Sequence, residues 1–117
     1  MSVVSRIGRI AFLATLVAPA ALVPLLAAAA AAPAKVEKVA IDNFAFAPQV
    51  IVVAPGTTVT WTNADEDPHT VVATDKSFHS AAMDTEESYS FTFTHPGEYA
   101  YFCSLHPHMT GKVIVKG

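Results

Sequence analysis

Residues 88–94 alternate small hydroxyl side chains with aromatic ones, and this alternation limits what the chain can fold into. Tyr89, Phe91 and Phe93 fall on one side of an extended backbone, and the serines and threonines fall on the other. A period of two residues is that of a β-strand with one buried face, whereas an amphipathic helix has a period of 3.6. The segment therefore predicts a strand with an aromatic inner face.

Other short segments also have strand character, and none after residue 32 shows a sustained helical period. Residues 58–62 alternate so that Val59 and Trp61 share one face, and residues 54–57 before them form a Pro-Gly turn. We predict an all-β fold, an antiparallel Greek-key β-sandwich of about seven or eight strands. The remaining predicted strands are residues 35–43, 49–53, 70–73, 98–103 and 111–116.

Two segments carry specific expectations about burial. The continuous apolar run at residues 49–53 predicts a buried strand. Residues 74–87 have no clear period and are predicted to be a long surface connection. The residues expected in the aromatic core are Phe44, Phe46, Trp61, Tyr89, Phe91 and Phe93.

Residues 1–32 differ in composition from the rest of the chain. Arg6 and Arg9 precede an apolar run that ends in a series of alanines. A basic start, an apolar centre and small residues at the end are typical of a secretory signal peptide, with an uncleaved membrane anchor as the alternative. We predict that residues 1–32 are cleaved, that residues 33–117 are the single domain, and that it is periplasmic or otherwise exported without stable membrane insertion.

The charge of this predicted domain is acidic. Removal of Arg6 and Arg9 leaves five basic residues against ten acidic ones, so the net charge changes from −3 to −5. No cluster of basic residues is present after residue 32. This balance argues against binding to nucleic acid or to an anionic membrane surface.

Cys103 is the only cysteine, so it cannot form a disulfide within the chain. Small exported domains often need a disulfide or a metal to supplement a limited core. The segment C-x2-H-x2-M places Cys103, His106 and Met109 within seven residues. Thiolate and thioether sulfur with imidazole suit copper. A buried apolar cysteine or an intermolecular disulfide is the alternative interpretation.

A second imidazole is needed to complete such a site, and His69 is the best candidate. It follows Pro68 at the start of a predicted strand, and the loops at one end of a sandwich lie close together. The predicted metal ligands are His69, Cys103, His106 and Met109, around one copper ion that cycles between Cu(I) and Cu(II).

Other candidate ligands have simpler interpretations. His79 and His95 are predicted to be surface residues, and Met83 is predicted to be a packing residue rather than a second axial ligand. His108 is one residue off the ligand pattern and is expected to contact a partner.

The segment at residues 97–115, together with residues 59–63 and 68–69, resembles the cupredoxins, the type 1 blue copper proteins. The short loop is closest to that of the amicyanin branch of this family. The resemblance implies a β-sandwich and a periplasmic electron carrier with copper on the four residues named above. Thr70 and Ser104 stand where the family usually has an asparagine and its bonding partner, and we expect the two hydroxyl groups to replace that hydrogen bond.

The predicted function is electron transfer through the exposed ring edge of His106. Expected partners are transient redox proteins, a donor dehydrogenase or a c-type cytochrome-like acceptor, with the domain acting as a monomer and not as an enzyme. A copper carrier without a redox role is the alternative. Residues 65–67 are interpreted as a solvated acidic loop that steers a basic partner. The apolar collar expected around His106 consists of Phe46, Pro68, Leu105 and Pro107.

Overall fold

Short strands make up most of residues 35–117, the part of the chain that the computed structural model describes. The predicted signal peptide lies outside this range. Within it, no helix has the length and apolar character needed to cross a membrane. The eight strands are β1 (Val36–Asp42), β2 (Ala45–Ala47), β3 (Val50–Val53), β4 (Thr57–Asn63), β5 (Val72–Ala73), β6 (Ser88–Phe93), β7 (Gly97–Cys103) and β8 (His106–Val115).

The strands form two four-stranded sheets, in the orders β2-β1-β4-β6 and β3-β8-β7-β5. This confirms the predicted all-β sandwich. The expectation of purely antiparallel pairing was wrong, because β1 pairs with β4, and β3 with β8, in parallel. The cause lies in the connections: after the β1–β2 hairpin the chain crosses to the second sheet as β3, and it then returns as β4 alongside β1.

The core between the sheets is built around Trp61, which is fully buried. Phe78 and Tyr89 stack on its ring at centroid distances of 5.7 and 5.9 Å, and Tyr101 meets it edge-on at 5.4 Å. Phe93 lies 6.4 Å away. Aromatic pairs in these geometries stabilise a core beyond the area that they bury. The alternation seen in the sequence of β4 and β6 thus supplies Trp61, Tyr89 and Phe93, and the other two aromatic rings come from outside these strands.

The outer face of the same two strands is polar. Each outward-facing hydroxyl residue of β4 pairs across the strands with one of β6, and such cross-strand pairs fix the register. The oxygen–oxygen distances are 2.8 Å for Thr58 and Thr92, 2.7 Å for Thr60 and Ser90, and 2.7 Å for Thr62 and Ser88.

The prediction of a buried strand over residues 49–53 was wrong. β3 lies at the edge of its sheet, with 52% of Val50 and 62% of Val52 exposed. Only Val53 is buried, and Ile51 packs partly against the core. A continuous apolar run does not reveal whether one face of the strand is left uncovered.

The prediction of a surface connection over residues 74–87 was also wrong in part. Phe78, Ser80 and Met83 are buried, because the segment folds back along the chain through single bridges. One bridge joins Met83 to His69. Met83 belongs to the hydrophobic core, as expected of a packing residue, and His79 and His95 are exposed as predicted.

Candidate metal centre

Three possible metal ligands meet at one end of the sandwich. His69 precedes β5, Cys103 ends β7 and His106 begins β8, so the loop between the last two is only two residues long. One donor atom from each of the three lies within 4.8 Å of the other two. The Cys103 sulfur is 3.7 Å from Nδ1 of His69 and 3.7 Å from Nδ1 of His106.

These distances fit a single metal ion. A first-row metal such as zinc bonds imidazole nitrogen at about 2.0 Å and thiolate sulfur at about 2.3 Å, which at a trigonal angle separates the two donors by about 3.7 Å. Two imidazoles and one thiolate in a plane are the donor set of an electron-transfer copper site. The arrangement of His69, Cys103 and His106 therefore fits copper in both spacing and chemistry.

Met109 lies three residues after His106 on β8 and belongs to the same buried cluster as Cys103. Its thioether role as a weak axial ligand stays a prediction. His108, between them, is exposed and is not among the clustered donors. The ligand loop is shorter than expected, because residues 106–109 already belong to β8.

The ring of His69 is held by Asp65. Nε2–H of the fully buried imidazole donates to Oδ2 of Asp65 over 2.8 Å, and the Asp65 side chain is itself only 12% exposed. A carboxylate on one ring nitrogen fixes the tautomer, leaving the lone pair of Nδ1 directed at the metal position. The structure thus gives Asp65 a role in orienting the His69 ring.

The same carboxylate also ties down the turn between β1 and β2. Asn43 N–H donates to its Oδ1 over 2.7 Å, and Phe44 N–H donates to its Oδ2 over 2.9 Å. Burial raises the pKa of the Asp65 carboxyl, but these two N–H groups and the His69 ring outweigh it and leave the pKa below its usual value. The interpretation of Asp65 as part of a solvated loop was wrong, and nothing in the sequence distinguishes it from Glu66 and Asp67.

Phe44 is not a core residue as predicted, since 46% of it is exposed. Its ring stands edge-on to both imidazoles, with its centroid 5.2 Å from that of His69 and 5.1 Å from that of His106. Phe46, which was expected at the collar, is 3% exposed and packs in the core against Tyr101. Phe44 belongs to the turn before β2, so the rule that residues two apart in a strand share a face does not bring its ring into the core beside Phe46.

The Cys103 sulfur accepts a hydrogen bond from the N–H of Thr70 at 3.3 Å. Burial raises the pKa of this thiol, but the Thr70 N–H, both imidazoles and the Leu105 N–H together lower it to about 6. A thiol with this pKa is a thiolate at neutral pH, which is the form that binds a metal.

The expected hydroxyl contact across the site is confirmed. Thr70 Oγ1 lies 2.8 Å from Ser104 Oγ and accepts the N–H of Ser104 over 2.7 Å. Asn63 braces the loop before His69: its Nδ2 donates to the carbonyls of Asp67 and Met83, and its Oδ1 accepts the N–H of Asp65. These bonds make the His69 side of the site rigid.

An eight-stranded sandwich with a buried cysteine close to two histidines at one end is a β-sandwich with one candidate metal site. Residues 10–115 match the family model of the Cupredoxin-like domain. The chain belongs to the cupredoxin-like family.

Relatives in this family include two amicyanins. Amicyanin-alpha of Methylorubrum extorquens is 34% identical over 92% of this chain and 98% of its own length. Amicyanin of Paracoccus versutus is 35% identical over 76% of this chain and 71% of its own length. Among solved structures, a reduced single-site variant of amicyanin superposes with a TM-score of 0.66 at 34% identity, covering 76% of this chain and 89% of that one.

Proposed function

We propose that this protein is a small electron carrier that holds one copper ion on His69, Cys103, His106 and Met109. The observation that carries the proposal is the buried Cys103 sulfur, which lies 3.7 Å from Nδ1 of each imidazole. Similarity to amicyanins supports a redox role. When bound, copper supplies a one-electron couple between Cu(I) and Cu(II).

The four residues differ in exposure, and this difference suggests the route for the electron. His69, Cys103 and Met109 are buried, whereas His106 is half-buried and reaches the surface. The electron therefore passes by outer-sphere transfer through the His106 ring edge to a docked partner. With four protein ligands in place no position is left for a substrate, which argues for a carrier and not an enzyme.

The surface around His106 suits brief encounters with a partner. Leu105 is 50% exposed, Pro107 is exposed directly after His106, and the partly exposed Phe44 lies against the His106 ring, so we expect a small apolar contact area. Small interfaces are typical of transient redox complexes. We propose a monomeric, exported carrier that exchanges electrons with a donor dehydrogenase or a cytochrome-like acceptor.

The direct test is Cu(II) titration of the copper-free protein, followed by visible absorption and EPR. We expect a strong blue band with one copper per chain, its loss in Cys103→Ser, and no change in His79→Ala, which removes an exposed histidine outside the site. A blue band that survives Cys103→Ser would refute the site. A colourless complex selective for Cu(I) would instead support the copper carrier.

A further inference from the structure

The turn between β1 and β2 contains a residue in an unusual backbone conformation. Asp42 pairs with Ala45, so the loop is the two residues Asn43 and Phe44, with φ values of 51° and 56°. Positive φ at both positions is the mark of a type I′ turn, which favours Asn and Gly because they adopt this region readily. Asn43 follows that preference, but a bulky aromatic residue at the second position does not.

Burial does not explain this choice, since nearly half of Phe44 is exposed. Backbone conformations of low population persist where the surroundings hold them, and they cluster at functional sites. Here the hold comes from Asp65, whose carboxylate accepts the N–H groups of both turn residues. The same carboxylate accepts Nε2–H of His69. One side chain thus fixes the turn relative to a metal ligand.

The turn places the Phe44 ring over the gap between the two imidazoles. Its plane is inclined by 88° to the His69 ring and by 82° to the His106 ring, at centroid distances of 5.2 and 5.1 Å. The imidazoles themselves lie 4.9 Å apart. Edge-to-face contact with both rings at once limits their rotation and fills the space in front of them.

We propose that Phe44 is a positioning residue for the metal centre: its ring fixes both imidazoles and closes the gap between them to small anionic ligands. This rests on the proposed copper site. The turn that carries Phe44 would then keep the coordination by His69 and His106 unchanged between the two redox states. It would also exclude competing donors from the copper ion.

The experiment compares Phe44→Gly and Phe44→Asn with Phe44→Tyr in the full chain. Gly and Asn suit the turn but lack the ring, so the urea midpoint of the copper-free protein should stay the same or rise. Azide is then titrated into the Cu(II) form of each variant and followed by absorption and EPR. In Phe44→Gly and Phe44→Asn, the dissociation constant for azide should be at least about tenfold lower than in the unmodified protein, which corresponds to a gain of roughly 1.4 kcal/mol in azide binding. Phe44→Tyr, which keeps the ring, should leave azide binding unchanged.

Asn43→Gly is the matched control, because it alters the same turn and leaves the ring in place. It should not affect azide binding. Equal azide affinity in Phe44→Gly and the unmodified protein, with unchanged EPR parameters, would overturn the proposal. A lower urea midpoint in both Phe44→Gly and Phe44→Asn would overturn it as well, since Phe44 would then serve folding. Failure of the copper proposal is distinguishable, because the unmodified protein would then show no blue band.

Discussion

The two sides of the candidate metal centre are built in opposite ways. On the inner side, His69 is fully buried, its second ring nitrogen is bound by Asp65, and the loop before it is braced by Asn63. On the outer side, His106 is half-buried, and the two residues before it, Ser104 and Leu105, are exposed.

This difference separates two requirements of an electron carrier. A ligand that is held rigidly keeps the site geometry constant, whereas a ligand at the surface shortens the distance to a partner. Cys103 connects the two, since it ends a central strand of its sheet and has one imidazole on each side. His69 therefore provides the rigid side of the site, and His106 provides the side that a partner can reach.

The largest expected effect comes from deleting each imidazole in turn. His69→Gly should abolish the blue centre and lower the stability of the copper-free protein by about 1–3 kcal/mol, because a fully buried ring is lost and Asp65 keeps only the N–H donors of Asn43 and Phe44. His106→Gly should also lose the centre but should lower that stability by less, because its ring is only half-buried and its contact with the Cys103 sulfur is what the copper-free protein loses. Added imidazole should restore the blue band in His106→Gly alone, as measured by absorption. Equal restoration in both variants would contradict the comparison.

A second, intermediate effect concerns the pH dependence of the copper-free protein. The folded Cys103 thiol has a pKa of about 6 against a reference value of 9.0, so its thiolate stabilises the fold fully above about pH 9. That contribution falls as the pH drops and is lost below about pH 6, and it amounts to about 4 kcal/mol at roughly 1.4 kcal/mol per pH unit.

Urea unfolding between pH 6 and 9 measures this slope, with Cys103→Ala as the control that lacks the thiol. The slope should shrink in His106→Gly, because one of the groups that lower the Cys103 pKa is then absent. A slope that is the same with and without Cys103 would show that its thiol does not titrate in this range.

The smallest effect concerns hydrogen bonds near the sulfur. Thr70→Val removes a hydroxyl 3.8 Å from the Cys103 sulfur but leaves the Thr70 N–H in place. A thiolate with fewer hydrogen bonds is richer in electrons and favours Cu(II), so the reduction potential of the copper couple should fall. The fall should be smaller than roughly 59 mV, which is the shift for a tenfold change in the equilibrium constant of a one-electron couple. Ser104→Ala should shift it less. A rise in potential measured by redox titration would refute this account.

Several parts of the fold were predictable because local patterns determine them. Alternation in β6 correctly gave its inward face, and the short spacing from Cys103 to His106 placed both at one end of the sandwich. His69 was predictable as a neighbour of these two because loops at one end of a sandwich converge.

The errors share a physical cause, which is that they depend on contacts between distant segments. The exposure of Val50 follows from the edge position of β3, and the burial of Phe78 follows from a segment folding back on β5. The roles of Asp65 and Phe44 follow from a turn that lies 21 residues from Asp65 in sequence. No periodicity within one strand encodes such neighbours.

The position of β8 has a consequence for how the site is assembled. This strand carries His106 and Met109, and it pairs with both β7 and β3, joining Val50 to Lys112. Cys103 and His106 pair directly between β7 and β8, so this half of the site needs only a two-residue loop to close. His69 lies 34 residues before Cys103, so the three donors come together only when that much longer loop has closed as well.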